Sequence, residues 1–166
     1  MKTLFLIRHA KSSWDNPDLN DEDRPLNARG KRDAPLIAQR MALNWSPPDG
    51  IFCSRALRAR ETANIMKQFW WKDREIVIDE KLYENSASSA LNIICQTPED
   101  FDSLALVFHN PTITYLSNVL ASLAIPNIPT CGIVTLKSKA NDWESVQPGK
   151  CDLLDFDFPK KEHQSS

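Results

Sequence analysis

Three observations predict a three-layer α/β/α sandwich, a mostly parallel central sheet with an antiparallel edge, for this chain of 166 residues. Short apolar runs without polar alternation recur along it, as expected of strands buried on both faces. Between them lie stretches with apolar residues at helical spacing, so strand and helix alternate as they do in parallel α/β domains. Toward the C-terminus the alternation stops. Three strand-like pieces then follow one another without a helix, which reads as antiparallel pairing added at the sheet edge.

The first strand is Thr3 to Ile7 in "MKTLFLIRHAKSSW", and it stops abruptly on Arg8 and His9. These side chains cannot continue a buried strand, so they belong at its carboxyl end, the edge where open α/β sheets bind ligands. "DNPDLNDEDRPLNARG" is rich in Asp, Asn and Pro and reads as a long polar loop. In "NARGKRDAPLIAQRMAL", Leu36, Ile37, Met41 and Leu43 recur near the helical period, with Pro35 bending the helix or marking its start. "DGIFCS" is a short strand and "ALRARETANIMKQFW" a helix with Ala59, Ala63, Ile65, Met66 and Phe69 along one stripe. "EIVID" is a strand, "SSALNIICQ" a helix and "SLALVF" a buried strand. "PTITYLSNVLASL" is a helix with Pro111 in its first turn. "GIVTLK", "WESVQP" and "CDLLDFDF" are the closing strand-like pieces. Trp70 and Trp71 end a helix and are expected to cover the core.

Composition bounds the function. With 42% hydrophobic and 25% charged residues, the chain has the makings of one compact domain, expected over residues 1–158, with residues 159–166 as a polar tail that includes His163. A net charge of −2 offers no global attraction to nucleic acid or to an anionic membrane, so neither is an expected partner and any anion site must be built locally. No run approaches membrane-spanning length, and the N-terminus lacks the pattern of a secretory signal. Cys53, Cys95, Cys131 and Cys151 are widely spaced and form no CxxC, which suits reduced thiols in a cytoplasmic protein and argues against a zinc site.

The same strand logic returns at Leu104 to Phe108, which end on His109 just before a helix. Between the two histidines, "CSRALRARETA" follows a strand and opens a helix with Arg55, Arg58 and Arg60. If these three strands share one parallel sheet, their carboxyl ends gather Arg8, His9, Arg58 and His109 into one pocket. Two guanidinium groups and two imidazoles suit a phosphate ion or a phosphoryl group.

The segments "LIRHAKSSW", "DRPLNARGKRDA", "SRALRARETA", "LYENS" and "HNP" resemble, in order and spacing, the histidine phosphatase superfamily, and within it the SixA-like phosphohistidine phosphatase branch. The resemblance runs from residue 3 to about residue 158 and implies a phosphoglycerate-mutase-like fold. It implies that His9 is the nucleophile and that Arg8, Arg58 and His109 hold the phosphoryl oxygens, with no metal and no cofactor. A neutral His9 would need an acceptor for its other ring nitrogen, most simply the backbone carbonyl of Ala10. Glu84, in "LYENS", stands where mutase-type relatives carry a proton donor to the leaving group. Arg24 either reaches the phosphate or braces its loop by pairing with an Asp. Phe108 stands where related sequences usually have Gly, which predicts a bulkier pocket wall beside His109, and Arg55 adds a cation at the rim where Pro is frequent. No sizeable insertion follows "LYENS" to build a lid, so an open pocket is expected.

The implied partner is a phosphohistidine-bearing protein or a small phosphorylated substrate, and the implied reaction is removal of the phosphoryl group through a phosphohistidine enzyme intermediate. Two other readings use the same residues. One is a phosphatase for a small phosphomonoester; the other is a module that binds phosphate or phosphohistidine without turnover.

Overall fold

The computed structural model describes residues 1–161, so His163 lies outside the described residues. Six strands form one sheet in the order β3-β2-β4-β1-β5-β6. They are β1 (Thr3–Arg8), β2 (Gly50–Cys53), β3 (Ile76–Ile78), β4 (Ser103–Phe108), β5 (Ile133–Ser138) and β6 (Cys151–Asp157). The helices are α1 (Ala28–Asn44), α2 (Leu57–Phe69), α3 (Ala87–Cys95) and α4 (Thr112–Ala121). β1, β2, β3 and β4 pair in parallel, whereas β5 runs antiparallel to β1, and β6 antiparallel to β5.

The two helix layers follow from strand parity. Successive side chains of a strand point to opposite faces. Phe5 and Ile7 of β1, with Ala105 and Val107 of β4, join Ile37 and Met41 of α1 and Ala59, Ala63 and Met66 of α2 in one buried cluster. Leu4, Leu6, Leu104, Leu106 and Phe108 join Ile93 and Ile94 of α3 and Ile113, Leu116 and Leu120 of α4 in the other. The runs of β1 and β4 are continuously apolar because each face meets a helix pair.

Some local expectations need correction. α1 begins at Ala28, with the Asn27 side chain accepting the Gly30 N–H, and it runs through Pro35. Its buried stripe is Ala34, Ile37, Ala38 and Met41, while Leu36 and Leu43 are exposed, Leu43 at 86%. The period was right and the phase was not, because alanines supply two of the contact positions. "WESVQP" is not a strand: residues 143–148 make turns, and among the described residues the edge consists of β5 and β6. Trp143 is fully buried there, with its indole N–H donating to the Phe101 carbonyl at 2.8 Å. Trp70 and Trp71 are buried as core, and all four cysteines are free.

Phe108 also departs from expectation. Its parity on β4 turns it toward α3 and α4, where it is 1% exposed within the core, and it does not line the pocket beside His109.

For the site, the register matters most. Arg8 pairs with Phe108, so β1 and β4 end level, and Cys53 pairs with Val107, so β2 ends one residue earlier. The residues that follow, His9, His109 and Ser54, stand side by side. The His9 N–H donates to the Phe108 carbonyl at 3.1 Å, and the Ser54 N–H to the Val107 carbonyl at 3.0 Å.

Candidate active site

At these strand ends lies a cavity of about 450 Å³, lined by Arg8, His9, Arg58 and His109 and walled by Ser12, Trp14, Asp21, Arg24, Tyr83 and Asn85. The structure therefore brings together the four residues expected there, from β1, the first turn of α2 and the end of β4.

The His9 and His109 ring centroids are 5.1 Å apart. His9 Nδ1 lies 2.7 Å from the Ala10 carbonyl, to which only a protonated Nδ1 can donate. The lone pair is thereby placed on Nε2. The Ala10 carbonyl is fixed in turn, since the Ala10 N–H donates to Thr62 Oγ1 of α2 at 2.9 Å. Burial, and then the neighbouring His109, push the His9 imidazole down to about 3, so the ring is neutral at physiological pH. Burial followed by the Arg58 charge lowers His109 to about 4. His109 Nε2 lies 2.7 Å from Ser54 Oγ, and its buried Nδ1 has no partner among the described residues.

The guanidinium groups are held so that each keeps donors free. Arg8 Nη1 donates to the Ile128 carbonyl at 2.8 Å, and its buried Nε has no partner among the described residues. Arg58 donates from Nη1 to the Asp21 carbonyl at 2.7 Å and from Nη2 to Asp21 Oδ2 at 3.0 Å, and its Nε is likewise buried and unpartnered. Unpaired buried donors are rare and costly. Those of Arg8, Arg58 and His109 belong to side chains that line one cavity.

Arg24 braces. It donates to Ser12 Oγ at 2.7 Å and pairs with Asp21 Oδ1 at 3.3 Å, so the pairing with an Asp is present while the side chain also lines the cavity. Arg55 sits at the rim, paired with Glu22 at 3.0 Å. Glu84 is exposed and is not among the lining residues, although its neighbours Tyr83 and Asn85 are. The chain passes from Tyr83 to the start of α3 at Ala87 with no inserted lid.

Three residues at the site were not singled out from sequence. Asp21 binds Arg58 and Arg24 and accepts the Tyr83 hydroxyl at 2.7 Å. Burial pushes its carboxyl up, but the hydrogen bonds from Tyr83 and Arg58 outweigh this and hold it down at about 2. In "NDEDR", three adjacent acids compete for that role, and only the turn Asp21–Asp23 decides between them. Tyr83 was hidden beside the more suggestive Glu84. Ser54 carried a signal, since it follows β2 as His9 and His109 follow their strands.

Comparison with known proteins places this geometry in context. Residues 4–92 match the model of the histidine phosphatase superfamily (branch 1). The Mycobacterium tuberculosis protein Rv1276c is 33% identical over 165 residues, covering 93% of this chain and all of its own. The chloroplastic Arabidopsis thaliana protein At3g52155 is 32% identical over 156 residues, 87% of this chain and 70% of its own. Neither name carries an activity. Among solved structures, a SixA chain from Agrobacterium tumefaciens superposes with TM-score 0.81 at 27% identity, covering 95% of this chain and 98% of its own. The protein histidine phosphatase SixA complexed with tungstate gives TM-score 0.80 at 21% identity, covering 95% and 97%.

Proposed function

The chain belongs to the histidine phosphatase superfamily, and on that premise we propose that it removes the phosphoryl group from protein phosphohistidine through a phosphohistidine intermediate on His9. One observation carries this reading: the 2.7 Å hydrogen bond from His9 Nδ1–H to the Ala10 carbonyl, which leaves Nε2 unprotonated in a pocket that also holds Arg8, Arg58 and His109.

In the proposed first step, the Nε2 lone pair attacks phosphorus in line with the leaving nitrogen of the substrate imidazole. The P–N bond breaks and its electron pair stays with that nitrogen, which takes a proton carried by the substrate or by solvent. Arg8, Arg58 and His109 donate to the three non-bridging oxygens throughout. Water then attacks the phosphorus of phospho-His9, phosphate departs, and the Nε2 lone pair is restored. The charge that a metal ion would supply is supplied here by the guanidinium groups, and the reaction needs no cofactor. The carrying residues fall within residues 1–158, and a cytoplasmic location fits the free cysteines.

The open mouth favours a phosphoryl group borne by a protein, because no lid follows Tyr83 to exclude a large partner. The test is a direct comparison of rates on a phosphohistidine-bearing protein, free phosphohistidine and a panel of phosphomonoesters. The reading expects the largest kcat/KM on the phosphohistidine-bearing protein. A phosphomonoester turned over faster than both phosphohistidine substrates would overturn it in favour of a small-molecule phosphatase. Tight phosphate binding without turnover of any compound would leave only a binding module.

A further inference from the structure

Two aromatic side chains flank the cavity, and one carboxylate braces both. Trp14 is 72% exposed and keeps one contact of note, with a neighbouring cation. The Arg24 guanidinium lies 3.6 Å from its ring centroid, and Arg24 is itself buried and held by Ser12 and Asp21. Tyr83 lines the same cavity, with its hydroxyl on Asp21 Oδ2 and its ring edge-on to His109 at 5.7 Å and 79°. The Arg55 guanidinium backs it at 4.7 Å. Exposing an indole to water is unfavourable, and its value lies in what can later cover it. A ring already in contact with a cation loses less rotamer freedom when a second ring stacks on it.

We infer that Trp14 and Tyr83 form a leaving-group subsite for a planar aromatic ring, an imidazole or an aryl group, whose face lies on Trp14 while its phosphoryl group reaches Arg8, Arg58 and His109. This rests on the phosphatase reading and narrows its substrate class. Apart from the two histidines, no other lining residue carries an aromatic ring, so stacking on a ring falls to Trp14 and Tyr83. Trp14 on this account sets specificity and does not touch the reacting atoms.

The test uses two substrates with the same scissile bond. Phosphoimidazole and phosphoramidate both present a P–N bond, and only the first has a ring. Kinetics of the wild type, Trp14→Ala and Trp14→Phe are compared after subtraction of spontaneous hydrolysis. Trp14→Ala is expected to lower the ratio of kcat/KM for phosphoimidazole over phosphoramidate by about tenfold, and Trp14→Phe to recover most of it. Turnover of phosphoramidate by the variant reports that the pocket is intact. If Trp14→Ala lowers both substrates by the same factor, Trp14 merely braces Arg24 and the subsite is refuted while the phosphatase stands. A wild type that dephosphorylates a phosphohistidine-bearing protein but does not prefer phosphoimidazole to phosphoramidate refutes the subsite alone, whereas one that cleaves none of the three refutes the phosphatase reading, and the subsite with it.

Discussion

At the scale of single residues, the site depends on where one proton sits. The Ala10 carbonyl fixes the His9 proton on Nδ1, and burial keeps the ring from gaining a second. His9 and His109 are lowered from 6.5 to about 3 and about 4, so both rings should stay neutral well below the usual imidazole range. NMR titration of the ring protons tests this, since the chain has only three histidines. The His9 and His109 signals should move little between pH 8 and 6, and a His9 midpoint between pH 6 and 7 would contradict the assigned environment. The linked effect on stability has a definite sign. Unfolded imidazoles bind protons near pH 6.5 while the native ones resist until pH 3 to 4, so acid favours the unfolded state. The contribution of these rings is full above pH 6.5 and lost progressively as the pH falls toward 3. Thermal denaturation should show Tm falling from pH 7 to pH 4, with replacement of His109 by Gln flattening part of that fall. A Tm that rises over the same interval would reverse the argument. Arg8, His9 and His109 were legible because strands that end on Arg or His are chemically abrupt, and Arg58 because it opens the helix that follows β2. Asp21 was not, because its role is defined by side chains that reach it from residues 24, 58 and 83.

At the scale of elements, the helices and parallel strands were legible and their faces less so. Hydrophobic period locates α1, but alanine contributes little to a hydrophobic pattern even where it makes the closest helix contact, and so Leu36 and Leu43 were placed inward. "WESVQP" has strand-like composition, yet its Trp143 is claimed by Phe101 and Glu99 and the segment folds as turns. Phe108 shows the cost of reading a motif without parity. It lies on the same face of β4 as Leu104 and Leu106, and so belongs to the core beneath α3 and α4. Phe108→Ala should therefore destabilise the protein by about 3 to 5 kcal/mol, as removal of a fully buried aromatic ring does. Urea denaturation checks the magnitude. The kcat/KM of the folded variant should change by the same factor on bulky and small phosphoryl substrates. A change in the ratio between them with little loss of stability would return Phe108 to the pocket wall.

At the scale of the whole molecule, a chain of net charge −2 gathers Arg8, Arg24 and Arg58 around one cavity, a local concentration of positive charge that suits an anion. The topology alone achieves this. With strand order β2-β4-β1 in parallel register, two histidines and two arginines separated by up to a hundred residues arrive together. Alternation of strand and helix made the parallel sheet legible, whereas which strands are neighbours is a long-range outcome that no local window contains. On the proposed mechanism, in which the guanidinium groups carry the charge compensation, activity should survive exhaustive EDTA treatment. Loss in EDTA with recovery on adding a divalent cation would show that the charge comes from elsewhere. The central claim is that His9 carries the phosphoryl group in transit. The most direct measurement is rapid quench of the enzyme with ³²P-labelled substrate, followed by peptide mapping under alkaline conditions. The account predicts an acid-labile, base-stable label on His9 that is absent from His9→Ala. Label found only on a serine, a cysteine or a carboxylate, or retained in His9→Ala, would contradict it.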